Sequence, residues 1–96
     1  MAKFRCKVGD VVLVEWTDST QQDGWQKVDE IDGAPSSSMS VGIVLELRTE
    51  YLVIAGDYSG DSTDANRIMT IPIGCISTLE ILKRFTKKTK ATVRRK

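Results

Sequence analysis

The amino-acid sequence predicts an all-β fold: a small five-stranded antiparallel barrel with a long first loop and a basic C-terminal tail. Three observations carry that expectation. Apolar residues recur with period two in five short stretches. The connections between them are rich in Gly, Asp and Ser. No stretch holds a helical period flanked by capping residues. A chain of 96 residues suits one domain with a modest core, read here as a barrel over residues 1–85 followed by a flexible basic tail over 86–96.

The first strand lies in "KVGDVVLVEW", residues 7–16, after a Gly-Asp turn. Val12, Val14 and Trp16 share one face; Val11, Leu13 and Glu15 share the other. The polar stretch from Thr17 to Met39 holds only Trp25, Val28, Ile31 and Met39 as sizeable apolar residues and reads as the long loop. Ser40 to Arg48 alternates, placing Val41, Ile43, Leu45 and Leu47 on the expected core face and Val44 on the opposite one. Thr49 and Glu50 form a tight hairpin into "YLVIAGDY".

A second loop, "GDYSGDSTDAN", leads to "RIMTIP" as the fourth strand. Pro72, which cannot donate to a ladder, and Gly74 then force a change of direction through one 3₁₀ turn. The last strand resumes in "ISTLEILKRF", with Leu79, Ile81 and Phe85 on one parity and Leu82 on the other. Five short strands, a long first loop and a one-turn break before the last strand describe an SH3-like barrel, in which closure protects the edges.

Within that frame, "KVGDVVLVEWTDS", "DGW", "SVGIVLE", "YLVIAG" and "IPIGCISTLEIL" resemble, in order and over residues 7–82, the small uncharacterised SH3-like barrel proteins encoded in tailed bacteriophage and prophage genomes. The resemblance implies a fold and a viral context. It brings no catalytic residue and no assigned activity.

Several functions are disfavoured by composition. The chain has no histidine, which removes the commonest general base near neutral pH and the usual partner of a Ser or Cys nucleophile; no enzyme activity, cofactor or catalytic residue is expected. Cys6 and Cys75 are read as reduced thiols, and two isolated sulfurs do not complete a zinc site. Asp57, Asp61 and Asp64 faintly resemble a calcium loop but lack its alternating ligands and closing Glu, so a solvated turn is expected and no metal site. The longest apolar runs are four residues, far below the ~20 that span a bilayer. "MAKFRCKVGD" has no apolar segment behind its charges, so a secretory signal is unsupported. The expectation is a soluble protein of the cytoplasm, that of the host if phage-encoded, with a place in the virion left open.

The net charge of +1 hides a division. Residues 1–82 carry six Lys and Arg against all thirteen acids, 6 − 13 = −7; residues 83–96 carry eight cations and no acid, +8. Lys83, Arg84, Lys87, Lys88, Lys90, Arg94, Arg95 and Lys96 are therefore candidate phosphate contacts for DNA or RNA, bound without base readout. The bland alternative is a tail lying back on the acidic body. A second class of function is interaction with a phage or host protein through aromatics, with Trp25, Tyr51 and Tyr58 as candidates. Trp16 belongs to the core by its parity. Trp25 is either a lid over one barrel end or a contact residue. Self-assembly through strand edges, with Leu82 and Val44 as second-face contacts, is a third.

Overall fold

The computed structural model describes residues 4–61 and 63–86. Five strands, β1 (Val11–Asp18), β2 (Ser36–Leu47), β3 (Tyr51–Tyr58), β4 (Ala65–Pro72) and β5 (Ile76–Lys83), are accompanied by two single-turn 3₁₀ segments, Val28–Glu30 and Ile73–Cys75. All pairings are antiparallel, in one sheet of order β4-β3-β2-β1-β5. β4 and β5 are its edges, and no ladder joins them among the described residues. The coarse all-β expectation stands, and the 3₁₀ turn falls where Pro72 and Gly74 require it. The loop over Thr49 and Glu50 is as short as expected: Leu47 pairs with Leu52, and the Arg48 N–H donates to the Tyr51 carbonyl at 2.9 Å.

Val12 and Val14 on β1 are fully buried, together with Val44, Leu52 and Ile71. Cys6, Ile54 and Ile76 complete the cluster, with Trp16, Leu47, Leu79 and Ile81 packed at its margin. Each buried aliphatic side chain contributes ~1.5–3 kcal/mol relative to exposure. Cys6 and Cys75 are free thiols, the first buried and the second half-buried.

The expected face of β2 is corrected. Val44 is buried and Val41 is exposed, because the register pairs Gly42 with Val12 and Ser40 with Val14, putting the even-numbered residues on the core side. A register shift between Val44 and Glu46 then inserts Leu45 as an extra residue. The alternation inverts there, which is how Leu47 returns to the core. Strand boundaries also differ. β2 starts at Ser36, inside what reads as loop, because ladder pairing with Thr17 and Asp18 outweighs the weak strand preference of three serines. β4 starts at Ala65, with Arg67 at φ +55°.

β2 is shared between two partners, and this shapes the molecule. Ser36 to Ile43 pair with β1, whereas Ile43 to Leu47 pair with β3. At the crossover a Cβ on Gly42 would lie 2.9 Å from the Ala55 carbonyl oxygen and 3.0 Å from the Ile54 Cβ. Glycine is needed there so that the two backbones can approach.

Candidate functional site

The β1–β2 loop leaves the sheet after Asp18 and returns at Ser36. Its local bonds are those of turn-forming side chains: the Asp18 carboxylate accepts the Ser19 N–H at 2.8 Å, and that of Asp32 accepts the Ala34 N–H at 3.1 Å. The Gln22 amide donates to the Asp32 carbonyl at 3.0 Å and ties the two limbs together. Gly24 at φ +99° turns the chain, and the Val28–Glu30 turn is closed by the Glu30 N–H on the Lys27 carbonyl.

Trp25 is fully exposed on this loop, as is most of Val28 and about half of Ile31. The lid expectation for Trp25 is thereby corrected: Trp16, Leu47, Leu79 and Ile81 already border the core, and the indole stands away from it. A shallow cleft of about 370 Å³ lies between Gln22, Gly24, Trp25, Gln26 and Ile31. Over residues 18–35 five acids face one lysine, 1 − 5 = −4. The loop therefore presents an apolar centre with an acidic rim.

The three aromatic candidates are not brought together. Tyr51 begins β3 and is half-buried, its hydroxyl 3.5 Å from a Glu46 carboxylate oxygen that also pairs with Arg48. Tyr58 ends β3, ~23 Å away along an extended strand, and lines a separate cleft of about 250 Å³ with Asp57, Ser59, Asp64, Ala65 and Asn66. Neither tyrosine lines the Trp25 cleft.

The Asp57, Asp61, Asp64 segment is occupied by its own bonds. The Asp61 carboxylate accepts from the Ser59 hydroxyl at 2.7 Å and from the Thr63 hydroxyl and N–H at 2.8 and 3.2 Å. Those donors, Ser59 first, hold its pKa below the usual value. Asp57 pairs with Arg67, 3.1 Å between Oδ2 and Nε. Among the described residues no three acids, cysteines or histidines are grouped to hold a metal, and no helix is long and apolar enough to cross a membrane.

Of the cationic candidates, Lys83 is the exposed last residue of β5, opposite Val11. The Arg84 guanidinium lies 3.5 Å from the Asp10 carboxylate. Lys87, Lys88, Lys90, Arg94, Arg95 and Lys96 lie outside the described residues.

Asp10 is the residue that sequence reasoning missed. It is the one buried charged side chain among the described residues, and it accepts the backbone N–H groups of Lys7 and Phe85, both at 2.8 Å. Its pKa is lowered, chiefly by the Phe85 N–H, then by the Lys7 N–H, with smaller help from the Arg84 and Lys7 charges, against desolvation. Neighbouring Cys6 is shifted the other way: burial, and then the Asp10 charge, raise its thiol pKa, which suits an inert packed sulfur. The available signal was the "GD" turn, read only as a turn.

No family model, curated protein or solved structure matches the chain.

Proposed function

We propose that the chain is a non-enzymatic binding module that engages a protein partner through the β1–β2 loop. One observation carries this: a fully exposed tryptophan, flanked by exposed Val28 and Ile31, on a loop whose limbs are tied by the Gln22–Asp32 bond. Long loops in small domains tend to be functional, and a tryptophan freed of any core role is the commonest kind of interface anchor. The acidic rim selects a cationic surface with an apolar recess. Order β4-β3-β2-β1-β5 in one sheet, with β2 divided between two neighbours, supports an SH3-like barrel as its scaffold. The motif resemblance supports a phage setting, in which the partner is a phage or host protein.

A second reading rests on the charge division: residues 83–96 bear eight cations and no acid. Here the tail binds DNA or RNA non-specifically, with log K falling by about 0.9 per log salt for each phosphate neutralised. Affinity capture from phage-infected or host lysate, with wild type and Trp25→Ala and with and without nuclease, separates the two. Partners lost on Trp25→Ala and kept after nuclease support the loop; partners lost only on nuclease support the tail.

A further inference from the structure

The division of β2 leaves an open strand edge. The Val44 N–H donates to the Asp10 carbonyl and the Val44 carbonyl accepts from the Gly9 N–H, so Val44 directs its backbone groups toward the β1 side. The β1–β2 register has no shift between Val11 and Asp18. By alternation, Gly42, Ser40, Ser38 and Ser36 face β1, while Val41, Met39 and Ser37 direct their N–H and C=O groups away from it. β3 pairs with β2 only from Ile43 onward. No backbone bond among the described residues uses the outward groups of Ser37, Met39 and Val41.

The other edges are protected in ways this one is not. β4 has Arg67 at positive φ and ends in Pro72. β5 carries Glu80 and Lys83 and is interrupted by two register shifts against β1. Charges, prolines and irregularities of this kind blunt an edge against pairing. Ser36–Val41 contains no charge, proline or glycine, and Met39 and Val41 are exposed on the face away from the core. Beside it stand Glu15, opposite Met39, and Asp18, opposite Ser36.

An occupant must therefore be extended, cationic and of alternating pattern, and the chain contains one. In residues 88–94, "KTKATVR", Thr89, Ala91 and Val93 share one parity, and Lys88, Lys90 and Arg94 share the other with Thr92. We propose that Ser36–Val41 accepts residues 88–94 of a second copy as an added strand. The backbone groups of Ser37, Met39 and Val41 supply the ladder, Met39 and Val41 contact the small residues, and Asp18, on the opposite face with Ser36, receives the cations.

A second copy is required because the chain's own segment is too short. Phe85 is held at Asp10, beside the start of β1. From there to the nearer end of the open edge, Val41 opposite Leu13, is ~14 Å, counting about three residues along a strand and two strand spacings. Residues 86–88 span at most ~10 Å. Direct pairing of two β2 edges about Met39, Ser37 of one copy opposite Val41 of the other, would bring no cation to Asp18 and would survive Ala91→Pro.

The test uses the full chain and two single variants. Met39→Pro removes an N–H that faces away from β1, leaving the β1 ladder intact; Ala91→Pro blocks strand formation in the donor while keeping all eight cations. Light scattering during size-exclusion chromatography across a concentration series should show reversible association of the wild type. Each variant, folded by circular dichroism, should be weakened by about tenfold or more. Mixing the two variants should restore association, because one retains the donor and the other the acceptor. Ala91→Pro should bind mixed-sequence DNA as wild type does, which keeps this result independent of the tail's affinity for nucleic acid. A wild type that stays monomeric throughout, association that survives either proline, or a mixture that fails to associate would each overturn the proposal.

Discussion

The Asp10 carboxylate accepts the Phe85 backbone N–H at 2.8 Å, joining positions 75 residues apart. The same group holds the Lys7 N–H and lies 3.5 Å from the Arg84 guanidinium. One buried anion thus links the turn entering β1 to the segment leaving β5, and sets where the basic tail departs.

Asp10→Ala should destabilise the fold by about 3 kcal/mol, because two backbone donors lose a charged acceptor. Asp10→Asn should cost less, keeping one acceptor oxygen. The pH dependence follows from the direction of the shift. The folded pKa lies below the ordinary value of 3.8. The contribution is therefore complete above the unfolded pKa and is lost as pH falls through the folded one. Urea melts between pH 7 and pH 2 should show a steeper acid loss for wild type than for Asp10→Asn.

Gly9→Ala should be as harmful as losing the anion. Gly9 sits at φ +97°, and a Cβ there would lie 2.6 Å from the Phe85 Cγ. Strain of that kind costs ~1–3 kcal/mol before the ring is displaced. A thermal melt measures the loss, and a second glycine, Gly24→Ala, serves as comparison: its φ is also positive, but nothing lies within 4 Å, so the steric part should be absent.

The pattern of apolar residues made five strands, the tight hairpin and the 3₁₀ turn legible, since period two and proline chemistry are local signals. The Val12–Val14–Trp16 face was legible for the same reason. The core face of β2 was not. A shift between Val44 and Glu46 depends on the partner strand, and nothing in "SVGIVLELR" marks it. Asp10 was equally hidden, because its partner Phe85, 75 residues away, is brought to it only by the tertiary fold. Trp25 was open from sequence because an isolated aromatic between polar residues suits a lid or a contact equally well. The structure removes the lid by placing other residues around the core.

Trp16→Ala should cost ~3 kcal/mol. The ring is half-buried against the core and its Nε1–H donates to the Ser40 hydroxyl at 3.0 Å. Trp16→Phe keeps most of the packing and should lose ~1 kcal/mol with the hydrogen bond. Chemical denaturation of the three proteins orders them directly.

Trp25→Ala should leave stability within ~0.5 kcal/mol of wild type, as for exposed positions generally. In the Trp16→Phe background Trp25 is the sole tryptophan, and its emission should be as red, and as open to acrylamide quenching, as tryptophan in water. A blue-shifted, protected signal would restore a buried role for the ring.

The most direct test of the central claim is affinity capture by wild type and Trp25→Ala after nuclease treatment, on samples matched by thermal melt. Wild type should retain a nuclease-resistant protein partner that Trp25→Ala loses by about tenfold or more, the scale of an anchor residue. Equal capture by both proteins, or capture abolished by nuclease alone, would contradict it.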